Sequence, residues 1–276
     1  MKTLLAHSPV AAAAMSAAQL RENFLLTDVF PAGGFSLAWW ESDRTVAGGF
    51  SPVNGGLELP APAGLRTAHF FERREGGFIN LGGPGRIEVD GAVHALGHLD
   101  ALYVGRGAKS VRMLSDSDAT PARFWLLSYP AHREYPVRRI AIKDIKGDRL
   151  GARETANERT LFKLIHPGAF PTCQLVMGFT RLEPGCVWNT MPPHTHLRRS
   201  EVYLYFGLPP GAAVFHFMGP PQETRHLLVR DGEAVLSPPW SIHCGAGTTG
   251  YAFVWGMGGE NQEFVDMDPV PLADIR

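Results

Sequence analysis

The chain has 276 residues, of which 19% are charged, and its formal net charge is −1. This length suits one large or two ordinary domains. The near-neutral charge argues against a broad basic face for nucleic acid or an anionic membrane, so we expect neither as a partner. Three scattered cysteines (Cys173, Cys186 and Cys244) are too few for a disulfide framework and indicate a reducing compartment. No apolar run approaches the roughly 20 residues of a membrane span, and we expect a soluble, cytoplasmic protein.

The predicted elements, in chain order, are one short helix and then many short strands. The 31 glycines and 22 prolines favour strands joined by turns over long helices. The sequence predicts a helix over residues 17–24. Strands are expected at residues 35–40, 45–50, 69–71, 78–81, 86–89, 101–104 and 123–128. The charged, proline-bounded stretch 130–167 is the best candidate for a linker, and a second strand-rich block runs over 172–257.

The second block contains a group of potential metal ligands. His194 and His196 are two residues apart, so on an extended segment both imidazoles point to the same face. Glu201 opens an apolar and aromatic run that is typical of a strand, and a short connection would fold this strand back beside the histidines. A proline-rich turn then delivers His243. Three imidazoles and one carboxylate suit a borderline divalent metal.

The two blocks have the pattern of diverged repeats. When the first block is aligned on the second, Glu75 falls on Glu201, but the three histidines have no counterpart. Their places are taken by Ala68, Phe70 and Ser110. We therefore predict an all-β chain with an N-terminal barrel over residues 1–145, which lacks the metal histidines. A C-terminal barrel over residues 146–276 would carry the metal site.

The spacing His-x-His-x4-Glu, followed by Pro-x4-His, resembles the two metal motifs of the cupin superfamily. Trp240 stands where the second motif usually has glycine. The resemblance implies two cupin-like β-barrels, of the double-stranded β-helix or jelly-roll type, with few short helices.

Longer strings resemble one family over nearly the whole chain, the 4-deoxy-L-threo-5-hexosulose-uronate ketol-isomerases. They are Phe-Glu-Arg-Arg-Glu (71–75), Asp-Ala-Leu-Tyr-Val-Gly-Arg-Gly-Ala-Lys (100–109), Trp-Asn-Thr-Met-Pro (188–192), Pro-Gln-Glu-Thr-Arg-His (221–226), Trp-Ser-Ile-His (240–243) and Gly-Glu-Asn-Gln (259–262). The resemblance implies a two-cupin isomerase of pectin, glycosaminoglycan and uronate degradation, typically zinc-bound and homohexameric. It also implies one divalent metal per subunit, most often Zn²⁺, held by the residues that correspond to His194, His196, Glu201 and His243.

An aldose–ketose isomerase needs an electrophile for the developing oxyanion, a base for the migrating proton and a site for the substrate carboxylate. The metal would supply the first. Glu223 and His226 are the candidate bases, and Glu201 could serve as both ligand and base. Arginine pairs with carboxylates through two parallel hydrogen bonds. The substrate-binding candidates are therefore Arg198, Arg199 and Arg225, with Trp240 as a wall of the pocket.

Two other functions use the same features. A cupin dioxygenase would hold Fe²⁺ with these ligands, because imidazole suits zinc, iron, copper and nickel alike. A non-catalytic sugar-binding double cupin would carry a vestigial site. The complete ligand set in the second block argues against a vestigial site, which should resemble the first block.

Overall fold

The structure, a computed structural model, describes every residue from Met1 to Arg276. It is mostly β, as the sequence predicted. Helix α1 spans Pro9–Ala13 and helix α2 spans Ala17–Phe24, the residues predicted to be helical. Ser16 starts α2 through a capping box, in which its hydroxyl accepts from the backbone of Gln19 and the Gln19 side chain accepts from the backbone of Ser16. No helix has both the length and the apolar character needed to cross a bilayer.

Twenty-four strands make up the rest of the regular structure. The first twelve are β1 (Lys2–Leu4), β2 (Leu25–Leu26), β3 (Gly34–Trp40), β4 (Thr45–Ser51), β5 (Leu57–Glu58), β6 (Arg74–Asn80), β7 (Gly85–Val89), β8 (Ala92–Leu96), β9 (Ala101–Val104), β10 (Val111–Ser115), β11 (Phe124–Pro130) and β12 (Arg138–Ile140). The others are β13 (Asp148–Leu150), β14 (Arg159–Ile165), β15 (Val176–Leu182), β16 (Trp188–Asn189), β17 (His194–Thr195), β18 (Arg199–Phe206), β19 (Val214–Met218), β20 (Arg225–Val229), β21 (Ala234–Ser237), β22 (Cys244–Gly247), β23 (Ala252–Gly259) and β24 (Asp268–Pro269).

The chain forms two compact units, each assembled from three segments. The first unit contains Met1–Leu4, Asp28–Lys146 and Leu164–Met177, and the second contains Leu5–Thr27, Gly147–Lys163 and Gly178–Arg276. The division expected after residue 145 lies one residue from the passage between units at Lys146 and Gly147. That residues 1–145 and 146–276 form two separate barrels with different roles stays a prediction.

The strand order of the first half recurs in the second. One seven-stranded sheet has the order β1-β3-β4-β11-β6-β9-β12, and the other has the order β13-β14-β15-β23-β18-β21-β2. Four-stranded sheets accompany them, with the orders β5-β10-β7-β8 and β16-β22-β19-β20. The strands β6 and β18 occupy the same place in their sheets, and each lies between two antiparallel partners. This recurrence agrees with two diverged copies of one β-fold.

The central strand β18 is the element that positions the site. All its residues except Phe206 are buried, as expected for a short apolar run between two partner strands. Its register places Glu201 opposite Ser237 of β21 on one side and opposite Met257 of β23 on the other. The carboxylate of Glu201 is therefore held in the interior, beside the point where β21 ends and the chain turns towards His243.

Most predicted strands were confirmed to within a few residues, but two predictions were wrong. Residues 69–71 run into a 3-10 helix over Phe70–Glu72 in place of a strand. The stretch 130–167 is not a linker, because it contains β12, β13 and β14. Its charges suggested an exposed segment, yet β14 pairs with β13 in a regular antiparallel register. Charged side chains are compatible with a strand when one face borders a polar cavity or solvent.

A buried carboxylate, Glu75 on β6, ties the first unit together. Glu75 is fully buried and accepts four hydrogen bonds. The donors are the hydroxyl of Tyr103, at 2.7 Å, and the backbone amides of Cys173, Gln174 and Leu175, each at 2.8 Å. These bonds fasten the segment 173–175 to the central strand of the unit. They replace the water that an ionised carboxylate otherwise requires.

Replacing Glu75 by glutamine should destabilise the protein by about 2–4 kcal/mol, because an amide group turns a donor towards an array of donors. The measurement is the urea midpoint followed by tryptophan fluorescence. Glu58→Gln is the matched control, since the Glu58 side chain is 68% exposed and its contact with Arg112 is 3.5 Å long. An equal midpoint for Glu75→Gln and the wild type would show that the four bonds contribute little.

Candidate metal centre

The ligand candidates come from three neighbouring elements. His194 opens β17, which pairs with β24 through His194 and Pro269. A turn follows, in which the backbone amide of Arg199 donates to the carbonyl of His196, and the chain enters β18. This is the short connection that the sequence predicted between the histidines and the glutamate. His243 follows β21 after the proline-rich turn.

The structure brings all four predicted ligands together. Their ligand atoms lie within 4.8 Å of one another, and three of the four residues are buried. The Nε2 atoms of His194 and His243 are 3.0 Å apart. The Oε2 atom of Glu201 lies 3.1 Å from the Nε2 atom of His196 and 3.1 Å from that of His243. Ligands about 2.0–2.2 Å from one zinc-sized ion have separations in this range.

The hydrogen bonds around the cluster show that it fits a cation. The Nδ1 atom of His196 lies 2.9 Å from the backbone carbonyl of Arg199. A carbonyl only accepts, so Nδ1 carries the proton and the neutral ring presents a lone pair at Nε2. That lone pair faces the carboxylate of Glu201. Two acceptors in a buried space need a proton or a metal ion beside them, so the cluster could hold one metal ion.

The electrostatics of the cluster agree with this fit. Burial, and secondarily the neighbouring His243, lowers the pKa of His194 to about 3, so this ring is neutral at pH 7. Burial opposes ionisation of Glu201, but the contacts with His243 and His196 outweigh it and lower the pKa of the carboxyl group. Burial likewise opposes protonation of His196, but the hydrogen bond that the protonated ring would donate to the carboxylate of Glu201 raises the pKa of this ring. A metal ion would take the place of that proton.

Three of the four candidate ligands, His194, His196 and Glu201, lie in the wall of a cavity of about 570 Å³, a size typical of small-molecule sites. Most of its other lining is apolar and includes Met191, Phe253, Trp255, Met257 and Phe264. The charged groups in the lining besides Glu201 are Asp148, Arg159, Lys163 and Arg199. The cavity therefore has three candidate metal ligands in a mostly apolar wall, with a few other charged groups around them.

Of the three candidate bases, Glu223 and His226 do not line this cavity. Glu223 is exposed and forms an ion pair of 2.8 Å with Arg225. His226 lies on β20 and is exposed, because the strand alternation turns its neighbour Leu227 inward. Its ring packs against Phe215. The structure thus brings neither residue to the ligand cluster.

Of the four predicted substrate-binding residues, only Arg199 lines the cavity. Its guanidinium donates to the backbone carbonyls of Glu263 and Asp266, at 2.7 and 2.9 Å, which holds the segment 263–266 in place. Arg198 is paired with Asp266 and Asp268.

The other two candidates contact the N-terminal segment of the same unit. Arg225 donates to the carbonyl of Ala13. The indole nitrogen of Trp240 donates to the carbonyl of His7 at 3.0 Å, and its ring packs on Phe24. Their binding partners in the structure are therefore parts of the chain itself.

Sequence reasoning missed the two cationic residues on β14. Arg159, Leu161 and Lys163 all line the cavity, since residues two apart on a strand share a face. The alternation Arg-x-Leu-x-Lys was present in the sequence. It was hidden because the surrounding charges made the stretch look like a linker.

Comparison with known proteins gives one family and one fold. A model of the KduI/IolB family matches residues 56–270. Three relatives share the name 4-deoxy-L-threo-5-hexosulose-uronate ketol-isomerase. The relative from Burkholderia cenocepacia is 50% identical over 96% of each chain, that from Kineococcus radiotolerans is 49% identical over 100% of each, and that from Yersinia pseudotuberculosis is 48% identical over 95% of each.

Solved structures resemble the fold at low sequence identity. An IolB-like protein from Salmonella typhimurium superposes with a TM-score of 0.74 at 14% identity, covering 90% of this chain and 97% of that one. The oxalate decarboxylase of Lactobacillus farciminis, solved with formate, gives 0.60 at 12% identity, covering 91% and 88%. These likenesses concern the fold alone, which is cupin-like as the sequence predicted.

Replacing His196 by alanine should remove the bound metal, because the site loses a ligand that the Arg199 carbonyl orients. Metal per subunit, measured by mass spectrometry over all divalent ions, should fall below about a tenth of the wild-type value. The control is His226→Ala, which removes an exposed histidine of the same unit and should leave the metal content unchanged. A full equivalent of metal in His196→Ala, with an unaltered circular dichroism spectrum, would contradict the assignment of this ligand.

Proposed function

This chain belongs to the KduI/IolB family, and we propose that it is a metal-dependent aldose–ketose isomerase of uronate and pectin degradation. It converts 4-deoxy-L-threo-5-hexosulose uronate into 3-deoxy-D-glycero-2,5-hexodiulosonate. The observation that carries the proposal is the cluster of three imidazoles and one carboxylate, of which His194, His196 and Glu201 line a small-molecule cavity. The substrate comes from the name shared by relatives that are about half identical over the full chain.

The metal of the proposal is one Zn²⁺ ion per subunit. His194, His196, Glu201 and His243 would hold it, since nitrogen and oxygen donors at these separations suit this ion. When bound, the ion supplies a Lewis acid for the oxygen atoms of the substrate's carbonyl and neighbouring hydroxyl groups. Imidazole and carboxylate ligands also bind iron, manganese and nickel, so the choice of zinc among these metals is itself part of the proposal.

The residues of the chain itself bind the substrate and exclude water. Isomerisation moves a proton from C2 to C1 of the sugar and a second proton from the C2 hydroxyl to the C1 oxygen, so that the aldehyde becomes a hydroxymethyl group and C2 becomes a ketone. The apolar wall around Phe253, Trp255 and Met257 keeps water from the enediol. The exclusion of water lowers the local dielectric constant and strengthens the polar contacts inside the cavity. Of the three predicted bases, Glu201 is the one that lines the cavity. The catalytic roles of Glu223 and His226 stay predictions.

Other parts of the proposal concern the whole molecule. We propose a metal-free N-terminal barrel (1–145), a metal-binding C-terminal barrel (146–276), a homohexameric assembly and a cytoplasmic location. We also propose that the substrate contacts Arg198, Arg199, Arg225 and Trp240. The names of the relatives favour the isomerase over an iron-dependent dioxygenase or a sugar-binding protein without activity.

Proton NMR of the metal-loaded protein with 4-deoxy-L-threo-5-hexosulose uronate in D₂O tests this function. We expect the signal of the hydrated aldehyde to disappear and a hydroxymethyl signal to grow. A chelator should stop the conversion, and readdition of Zn²⁺ should restore it. Deuterium at C1 of the product would indicate that the base exchanges its proton with solvent.

No conversion by protein that contains a full equivalent of metal would contradict the isomerase activity. Oxygen uptake, recorded in parallel with Fe²⁺-loaded protein, serves as the counter-test. We expect no uptake above the protein-free rate. Uptake that depends on the substrate would favour the dioxygenase.

A further inference from the structure

The charged groups in the cavity are not equally compensated. Glu201 is contacted by two imidazoles. Lys163 forms an ion pair of 3.1 Å with Asp148, and its ammonium lies 4.8 Å from the ring centre of Phe264. The guanidinium of Arg199 donates to the backbone carbonyls of Glu263 and Asp266, and its Nε atom lies 4.0 Å from the carboxylate of Asp266. Each of these three side chains therefore has a group of opposite charge, or an imidazole, beside it.

Arg159 is different, because no carboxylate in the protein pairs with it. Its one hydrogen bond runs from Nη1 to the backbone carbonyl of Asn157, at 2.8 Å. The side chain is half-buried, and burial lowers its pKa. A guanidinium has five N–H donors in a planar fork. Most donors of Arg159 are therefore left for a ligand in an apolar cavity, where an unpaired charge is costly.

Arg159 is also connected to the metal-binding cluster by short contacts. The side-chain Nδ2 of Asn157 donates to the backbone carbonyl of Met191, three residues before His194, at 3.2 Å. Tyr203 lines the same cavity as Arg159, and the Tyr203 ring centre lies 5.5 Å from that of His243. Arg159 thus lines the same cavity as His194, His196 and Glu201, and its neighbour Asn157 is bonded to the segment that leads into His194.

We propose that Arg159 binds the carboxylate of the substrate and thereby sets the preference for a uronate over a neutral sugar. This inference rests on the function proposed above. Arg159 and Lys163 are four residues apart on one strand, which separates them by about 13 Å along it. The two side chains therefore start from well-separated positions, and they differ in what already pairs with them. Arg159, which lacks an anionic partner, gains more from this contact than Lys163, which already has Asp148.

The guanidinium presents a geometry that matches this ligand. A planar fork donates two parallel hydrogen bonds to the two oxygens of a carboxylate. The substrate named for the relatives has a ketone at C5 next to the carboxylate at C6, so this end is a 2-oxo acid. Binding of this end to Arg159 leaves the aldehyde end of the six-carbon chain for the cluster of His194, His196, Glu201 and His243.

The test compares Arg159→Met with the wild type on two substrates, the keto-uronate and its methyl ester. For the acid, we expect kcat/KM to fall about 10- to 150-fold, mainly through KM, as for a lost charge-assisted hydrogen bond. For the neutral ester, we expect a change of less than about threefold. Arg159→Lys keeps the charge without the fork and should fall between the two proteins on the acid. Metal content should equal that of the wild type in both variants.

Arg181→Met is the matched control. Arg181 lies on the adjacent strand β15, is exposed, and has its guanidinium 5.9 Å from the Phe162 ring centre. It is not part of the cavity lining, so kcat/KM should stay within about twofold on either substrate. An equal loss of kcat/KM on acid and ester in Arg159→Met would overturn the proposal, and so would an unchanged value on the acid.

A binding measurement separates this inference from the proposed function. If the wild type does not isomerise the keto-uronate, calorimetric titration with 2-oxovalerate, a simple 2-oxo acid, tests the carboxylate site alone. Binding by the wild type and by Arg181→Met, but not by Arg159→Met, would support the site while the isomerase activity fails. Equal binding by Arg159→Met, or no binding by the wild type, would overturn the site as well.

Discussion

The second unit depends on the burial of one carboxylate among three imidazoles. An ionised carboxyl group without water is unstable unless positive charge or donors surround it, and Glu201 lies on the central strand of its sheet. The turn at 196–199, the pairing of β18 with β21 and β23, and the turn before His243 all bring imidazole nitrogens to this carboxylate. Because the Nε2 lone pair of His196 faces the carboxylate of Glu201, a cation between these two acceptors is needed to stabilise the arrangement.

The first unit solves the same problem differently. Glu75 lies on β6, which has the place in its sheet that β18 has in the other. Its carboxylate is satisfied by one tyrosine hydroxyl and three backbone amides. The four donors satisfy the carboxylate of Glu75, whereas the imidazoles around Glu201 offer lone pairs that could bind a metal ion with it. The same place in the two sheets thus carries a carboxylate bound by donors in one copy and a candidate ligand carboxylate in the other.

The cavity combines this cluster with a selective distribution of charge. Its apolar wall lowers the local dielectric and strengthens the charges that remain. Lys163 is neutralised by Asp148, and Arg199 holds the segment 263–266. Arg159 alone among these cations is left without a partner that could neutralise it. Under our proposal, Arg159 binds the carboxylate end of the substrate, and the aldehyde end, which reacts, is left for the ligand cluster.

The local sequence was enough to predict the mostly β fold, the helix over residues 17–24 and the ligand group His194, His196, Glu201 and His243. These features depend on local spacing: short apolar runs between turn residues, and two histidines on one face of an extended segment. Local spacing also predicted the short turn that returns β18 to the histidines.

Which of the other polar residues line the cavity depends on contacts between distant parts of the chain. The strand alternation of β20 turns His226 outward, and the N-terminal segment occupies Arg225 and Trp240. The cationic face of β14 borders the cavity because β14 joins the sheet of β18 through two intervening strands. Contacts between strands so distant along the chain are set by sheet order and packing, for which the local sequence has no signal.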